Sequence, residues 1–389
     1  MKKILFLTTS KVLPSNNGAA LYTLSILKSF HKIGFNVTLM NFYADNCYSD
    51  TEIETLNQFC ESIVEIKLVK KSVFRNISLF TPYTVMKYYT DSFIKKLVVL
   101  KKDFKFDLIV YDHLHMSIYR SFFPDNKSVL IEHNIEFNIW SNFSKVSRGL
   151  IKILSWIQWI IVSKYEIKSI QSMDGVISIS NNDMETILKI SSKPKLFLHY
   201  PQIEFSLVKT LDSVMKNNRT IVFIGSYKWF PNQKAAEYLI NTVMPILRSL
   251  VDGVMLLLVG SSPTNEMIKA GEKFSDILVT GMVPSVDKYI NDADIFVNCV
   301  EDGSGINIKV IEALAKGIPL ISSKFGARGF DLIHGKHAYI YNDKIELISF
   351  IVELFNSQEK RVSLSVKGRE FYETYKICLP DFIEFCNTL

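Results

Sequence analysis

Short apolar runs alternate with longer amphipathic stretches along most of this chain. The runs at 4–7, 37–42, 108–111, 129–131 and 176–179 read as strands, and residues 20–32 carry helical spacing. Strands this uniformly apolar are buried on both faces, and their alternation with helices predicts a mainly parallel sheet. The rhythm breaks near 200–220, where Pro201 is followed by a polar stretch ending Lys216-Asn217-Asn218-Arg219. A second series then begins at 221–224 and continues with strands at 254–259, 277–280, 295–299 and 320–322. Residues 345–389 read as helical up to Pro380, and no internal repeat is strong enough to name.

This pattern predicts an α/β protein of two doubly wound domains facing a cleft. The expected boundaries are 1–200 for an N-terminal domain, 201–219 for a linker and 220–389 for a C-terminal domain, with the final helix free to return to the first. In such sheets ligands bind beyond the carboxyl ends of the strands.

Composition adds little constraint. Of 389 residues, 48% are hydrophobic and 22% charged, an ordinary globular balance with ample material for a core. Cysteines at 47, 60, 299, 378 and 386 are odd in number and lack CxxC or metal-type spacing. They fit a reducing compartment, each acting as a small apolar residue. The start, Met1-Lys2-Lys3-Ile4-Leu5-Phe6-Leu7, imitates a signal peptide, but its apolar run is too short and Ser10 and Lys11 follow. It is expected to be a buried first strand, and the chain to be cytoplasmic. Residues 150–162 are apolar but interrupted by Lys152, Ser155 and Gln158, short of the roughly 20 residues a membrane span needs.

The net charge of +6 is unevenly placed. Residues 1–200 hold 25 Lys+Arg against 17 Asp+Glu; residues 201–389 hold 20 against 22. The basic half includes Lys67, Lys70, Lys71, Arg75, Lys87, Lys95, Lys96, Lys101 and Lys102, interleaved with Phe74, Phe80, Tyr83, Tyr88, Tyr89 and Phe93. Two readings stand: the solvated face of ordinary helices, or a patch for an anionic lipid or acceptor. No nucleic-acid motif accompanies the charge, so no nucleic-acid partner is expected.

The segment Glu301-Asp302-Gly303-Ser304-Gly305-Ile306-Asn307-Ile308-Lys309-Val310-Ile311-Glu312-Ala313-Leu314-Ala315-Lys316-Gly317-Ile318-Pro319 carries the most chemistry. Gly303 and Gly305 allow a tight turn and close approach to a ligand. A helix opens after them and ends at Gly317, with Pro319 beyond. Ile308, Ile311, Leu314 and Ala315 form an apolar stripe, while Gly305, Lys309, Glu312 and Lys316 recur at four, three and four residues. Lys309 lies near the helix N-terminus, where the dipole disfavours a cation by roughly 0.3–1 kcal/mol. An anion docked on the free N–H groups would turn that cost into attraction. The plain alternative is a surface ladder of Lys309, Glu312 and Lys316 ion pairs.

This segment resembles the donor signature of the retaining GT-B glycosyltransferases of family 4 (glycosyl transferases group 1), in particular the subgroup reading G-x-G-x-x-x-K-x-x-E-A followed by G-x-P. Gly303, Gly305, Lys309, Glu312, Ala313, Gly317 and Pro319 match. The resemblance implies the GT-B fold, two Rossmann-like domains. It implies that Glu312 binds the nucleotide ribose and that Lys309 and the loop amides of Gly303, Ser304, Gly305 and Ile306 hold the diphosphate. Many members carry a second glutamate where Ser304 stands here, which leaves the donor sugar open. Phe223-Ile224-Gly225-Ser226-Tyr227-Lys228-Trp229-Phe230-Pro231-Asn232 resembles the family's first strand and loop of the C-terminal domain. Gly225, Ser226 and Lys228 join the donor set, with Lys234 a second candidate for positive charge. Val279-Thr280-Gly281-Met282-Val283 matches the element that receives the base through backbone atoms, which adds Val283. In the N-terminal half, Asn16-Asn17-Gly18 resembles the family's glycine pair, with Gly18 on the donor side.

Asp107-Leu108-Ile109-Val110-Tyr111-Asp112-His113-Leu114-His115 resembles the strand end carrying the family's active-site histidine. His113 is preferred, with Asp112 and His115 as alternatives. Glu132-His133-Asn134-Ile135-Glu136 follows the next strand, and places Glu132 and Asn134 with Asp112 and His115 on the acceptor side. Asp292-Ala293-Asp294 imitates a metal-binding D-x-D, but leads into Ile295-Phe296-Val297 as in the family's structural A-D-I-F-V. The resemblance therefore implies metal-independent transfer from a nucleotide sugar to a glycan or lipid-linked acceptor, with no cofactor, in surface polysaccharide assembly. The rival readings are a GT-B sugar-nucleotide epimerase and a non-catalytic sugar-nucleotide or partner-binding module.

Overall fold

The structure is a computed structural model that describes residues 2–14, 18–69, 80–202, 209–303, 306–374 and 379–389. The chain divides into two compact units, Met1–Gln202 with Ile377–Leu389, and Ile203–Lys376.

The first unit is built on a seven-stranded sheet. Its strands are β1 (Lys3–Thr8), β2 (Asn36–Tyr43), β3 (Ser62–Lys67), β4 (Leu108–Asp112), β5 (Lys127–Glu132), β6 (Gly175–Ser178) and β7 (Lys195–Leu198). Their order is β3-β2-β1-β4-β5-β6-β7, and every pairing is parallel. Ile4, Leu5, Phe6 and Leu7 are all fully buried, which explains why β1 reads as an unbroken apolar run. The second unit holds β8 (Thr220–Ile224), β9 (Met255–Val259), β10 (Ile277–Gly281), β11 (Ile295–Asn298), β12 (Leu320–Ser323) and β13 (Tyr339–Tyr341). Their order is β10-β9-β8-β11-β12-β13, again parallel throughout. Both sheets are doubly wound, as the sequence pattern predicts. Strand order reverses between β1 and β4 in one sheet and between β8 and β11 in the other, which creates the crevices where such sheets bind ligands.

The strands that sequence patterning misses are β3, β7 and β13, all at sheet edges. Edge strands are covered on fewer sides, so β3 (SIVEIK) and β7 (KLFL) mix polar with apolar residues and stay partly exposed. The C-terminal region also differs from expectation. Helices Lys344–Asn356 and Gln358–Thr374 are followed by a third, Leu379–Thr388, which contains Pro380 in its first turn. A proline there forfeits no intrahelical bond. This last helix is part of the first unit. Phe382, fully buried, lies 5.0 Å from the Phe30 ring and 5.2 Å from Phe197. Gly175 in β6 has room for no side chain, because an ideal Cβ there would come within 2.6 Å of Leu389 and 2.9 Å of Phe385.

Among the described residues no helix is long and apolar enough to cross a membrane. Cys60, Cys299 and Cys386 are buried, as suits small apolar residues, but Cys47 is exposed; Cys378 lies outside the described residues. Lys70, Lys71, Phe74 and Arg75 of the basic region, and Asn16 and Asn17 before Gly18, also lie outside them. In the part described, Phe93 is fully buried and Tyr88 and Tyr89 pack against the core. Lys95, Lys96, Lys101 and Lys102 are exposed on the Asp91–Asp103 helix. Phe93, Tyr88 and Tyr89 therefore serve the core, whereas Phe80 and Tyr83 are exposed alongside the lysines.

Replacing Phe382 by Ala should lower the stability of the first unit by about 3–5 kcal/mol, the usual cost of emptying a buried aromatic site. Denaturant unfolding followed by far-UV circular dichroism would check it; an unchanged midpoint would show that the last helix does not complete this core.

Candidate active site

The crevice of the second sheet is lined by the loops after β8 and β11. After β8 the chain turns through Gly225-Ser226-Tyr227 into the Phe230–Tyr238 helix. After β11 it passes Gly303 and enters the Ile308–Lys316 helix, which Gly317 closes at φ 69°. Gly303 itself has φ 124°, and an ideal Cβ on it would sit 3.1 Å from the Trp229 ring. Only glycine combines that backbone with that contact. Ser304 and Gly305 lie outside the described residues.

Lys309 stands on the first turn of the Ile308–Lys316 helix, where the amide dipoles oppose a cation. Its Nζ donates to Asn232 Oδ1 at 2.7 Å and lies 4.3 Å from the centre of the Phe223 ring. Desolvation pulls its pKa down to about 7, against the attraction of Glu312. The charge on this lysine is thus weakly held near neutral pH. An anion at the helix mouth would restore it.

The Lys309, Glu312, Lys316 ladder forms only in part. Lys316, just 3% exposed, pairs with Glu312 at 3.4 Å and with Asp287. Lys309 turns away to Asn232 instead. Glu312 is half-buried, and burial raises its pKa against the opposing charge of Lys316. The apolar stripe is also wider than its spacing predicts: Val310 and Ala313 are buried with Ile311, Leu314 and Ala315, whereas Ile308 is half-buried.

Asn232 is the residue that sequence reasoning misses. Its Nδ2 donates to the Ser226 carbonyl at 2.9 Å while its Oδ1 receives Lys309, so one amide ties the two loops together. The space it occupies exists because residue 225 is glycine: an ideal Cβ there would meet Asn232 at 2.6 Å. On the other side, the backbone of Gly260 crosses so close that an ideal Cβ would fall 1.8 Å from the Gly225 carbonyl oxygen. Of the remaining predicted donor residues, Ser226 Oγ accepts from Ser261 Oγ at 3.2 Å. Lys228 is exposed, while Ile306 and Val283 are half-buried in loops. Lys234 is exposed and paired with Asp302 at 2.9 Å. Asp294 is buried and accepts the Thr220 amide at 2.9 Å, a structural role at the base of β8.

The crevice of the first sheet holds a second polar cluster. Asp112, at the end of β4, is fully buried. Its Oδ2 accepts from Thr8 at 2.6 Å and Thr23 at 2.9 Å, and its Oδ1 meets His133 Nε2 at 2.7 Å. Burial alone would raise its pKa, but His133, His113 and these hydrogen bonds hold it at about 2. His113 stacks on His133 with ring centres 3.6 Å apart, and Tyr22 meets His133 edge-on at 5.0 Å. The His113 backbone, at φ 72° and ψ 147°, lies close to a region that is essentially glycine's alone. Burial and the neighbouring His133 push the His113 pKa well below its ordinary value, so it is neutral at pH 7. His115, brought to about 4 mainly by burial, is 6.2 Å from His113, ring to ring. Gly18 opens the Gly18–Lys32 helix that carries Thr23 and Tyr22.

Asp112, His113 and His133 bring three ligand-type atoms within 4.8 Å of one another. Asp112 already receives Thr8, Thr23 and His133, so the arrangement is that of a carboxylate orienting an imidazole. His133 was legible as a neighbour of Glu132 but not as the partner of Asp112, because the two meet only across the β4–β5 pairing. Glu132, at the end of β5, is 1% exposed, and among the described residues neither of its carboxylate oxygens has a hydrogen-bond partner. Burial, then Glu166, Glu136 and Asp183, raise its pKa well above the ordinary carboxylate value and favour its protonated form. Nearby Asn134 Oδ1 is likewise buried without a partner among the described residues. In that form Glu132 offers an O–H donor, and Asn134 an acceptor, that no described residue uses.

The family model described as "Glycosyl transferases group 1" matches residues 218–357, the span that holds the Lys309 cluster. A Klebsiella pneumoniae relative, described as an "Uncharacterized 44.6 kDa protein in cps region", is 22% identical over 364 residues, covering 90% of both chains. Among solved structures, Anabaena Alr3699/HepE in complex with UDP and glucose superposes with a TM-score of 0.69 at 13% identity, covering all of both chains. Sucrose-phosphate synthase from Thermosynechococcus elongatus gives a TM-score of 0.69 at 14% identity, covering all of this chain and 98% of that one. The two doubly wound units therefore have the GT-B architecture.

Gly260→Ala should cost about 3 kcal/mol or more, since the new methyl would have to displace the Gly225 backbone. Thermal unfolding would check it, and a melting temperature equal to that of the parent would contradict the close crossing of the two loops.

Proposed function

We propose that the chain is a glycosyltransferase that moves a sugar from a nucleotide-sugar donor to a glycan or lipid-linked acceptor, with retention at the anomeric carbon. One observation carries this reading: a desolvated lysine, poised between its charged and neutral forms, at the mouth of a helix. Such a place is stable with a pyrophosphate beside it. The matched family model supports the reading, as do the neighbours solved with UDP and with UDP-glucose. The relative from a cps region supports a role in polysaccharide assembly. In this reading the chain works at the cytoplasmic face of a membrane, with peripheral contact.

In this reading the bond between the anomeric carbon and the diphosphate oxygen breaks, and the leaving group gathers negative charge. The helix amides and Lys309 stabilise that charge by fixed geometry. The acceptor oxygen forms its bond on the same face of the sugar, and its proton passes to the departing phosphate. Gly225, Ser226 and the loop at 303–306 approach the phosphates. Lys228 adds positive charge, Val283 receives the base through its backbone, and Glu312 binds the ribose. Gly18 completes the donor set. Neutral His113, oriented through His133 by Asp112, accepts a hydrogen bond from the transferring sugar or the acceptor. His115, Glu132 and Asn134 complete the acceptor side, and no metal is needed.

Lys309→Ala should cut turnover by two or more orders of magnitude without unfolding the protein, as for loss of a principal charge-stabilising group. Nucleotide release measured across donors and glycan or lipid-linked acceptors would show it. Near-normal turnover would defeat the role of Lys309, and release with no acceptor need would favour a different reaction.

Nucleoside diphosphate binding should weaken as pH rises above about 7. The free lysine loses its proton through its pKa of about 7, whereas the bound one must hold it. Affinity then falls by up to about tenfold per pH unit until the pKa of the complex is reached. Titration calorimetry between pH 7 and 9 would follow the decline, and Lys309→Arg should flatten it. A level profile in the parent protein would contradict the assignment.

A further inference from the structure

The Glu136–Val146 and Gly149–Ser172 helices pack along one another as a hairpin. Its outer end is unlike the rest of the surface. Val146 is 77% exposed, Leu150 78%, Ile151 59%, Ile153 56%, Leu154 65% and Trp156 52%. At about 100° per residue, the exposed side chains from 150 to 157 sweep more than half of the helix circumference. Ser155, on the remaining side, is 2% exposed. A soluble surface rarely gathers so many large apolar side chains without a partner.

The surrounding charge points to what that partner is. Residues 137–165 contain Lys145, Arg148, Lys152 and Lys164 and no Asp or Glu. Lys145, Arg148 and Lys152 are all exposed around the apolar tip. An apolar wedge whose own segment carries only cationic charges suits a surface of hydrocarbon beneath anionic headgroups. The helix is not long and apolar enough to cross a membrane, so the geometry is that of an element lying in the interface. We propose that the tip of this hairpin docks the protein on anionic phospholipid. The contact lies apart from the Lys309 and Asp112 clusters in sequence, and it can hold or fail independently of the transfer chemistry. It also moves the membrane contact away from the lysines of the Asp91–Asp103 helix.

The test is co-sedimentation of the full chain with vesicles of phosphatidylglycerol and phosphatidylcholine, and with vesicles of phosphatidylcholine alone. The parent protein should bind the anionic vesicles at least tenfold more tightly. Leu150→Glu with Leu154→Glu should lose at least tenfold in binding while keeping its circular dichroism and melting temperature, since both side chains are exposed. Lys145→Gln, Arg148→Gln and Lys152→Gln together should abolish the preference for anionic vesicles. Neutralising Lys95, Lys96, Lys101 and Lys102 should leave binding unchanged. Undiminished binding by the double glutamate variant would overturn the proposal. So would a parent that ignores vesicles but is a dimer by light scattering, with the double variant a monomer; the tip would then be an interface between copies of this chain.

Discussion

A single ammonium group in the wrong electrostatic place organises the second unit. Lys309 sits where its own helix repels it, and it is held there by the Asn232 amide and the face of Phe223. Neither partner supplies a full negative charge. Everything near it makes that position possible: Gly225 yields space to Asn232, Gly260 lets the two loops touch, and Gly303 turns the chain under Trp229. Glu312, the nearest carboxylate along the helix, is engaged by Lys316. Such local conflicts with stability are expected where a fold serves a function, which is why this lysine anchors the proposed donor site.

The first unit repeats the topology but not the chemistry. Its switch point holds a buried Asp112 that fixes His133, and His133 in turn stacks on a strained, neutral His113. Next to it lie Glu132, whose burial favours the protonated form, and Asn134, with hydrogen-bonding capacity unspent among the described residues. One sheet thus offers cationic and amide groups suited to an anion. The other offers neutral donors and acceptors suited to hydroxyl groups. That division of labour is consistent with the proposed transfer from an anionic nucleotide-sugar donor to an acceptor hydroxyl.

The interior of both sheets was legible because central parallel strands are covered on two faces, leaving runs such as Ile4–Leu7 with no polar interruption. Three of the four edge strands were not, since β3, β7 and β13 need only one good face; the edge strand β10 was read from its run at 277–280. Pro380 misled for a local reason: a proline breaks a helix from within but fits its first turn. At the candidate sites, the loop-then-helix placement of Gly303, Lys309 and Glu312 was readable from one continuous segment. Asn232 and the pairing of His133 with Asp112 were not, because each links residues that only the folded sheet brings together. The apolar hairpin tip was visible as an apolar run at 150–162. Its exposure was not, since apolar spacing cannot say whether a helix has a partner.

The most direct measurement is a structure of the chain crystallised with a hydrolysis-resistant sugar nucleotide. The account predicts the diphosphate within about 2.7–3.2 Å of Lys309 Nζ and of the amides that open the Ile308–Lys316 helix. Phosphates bound elsewhere, with Lys309 still resting on Asn232, would contradict it.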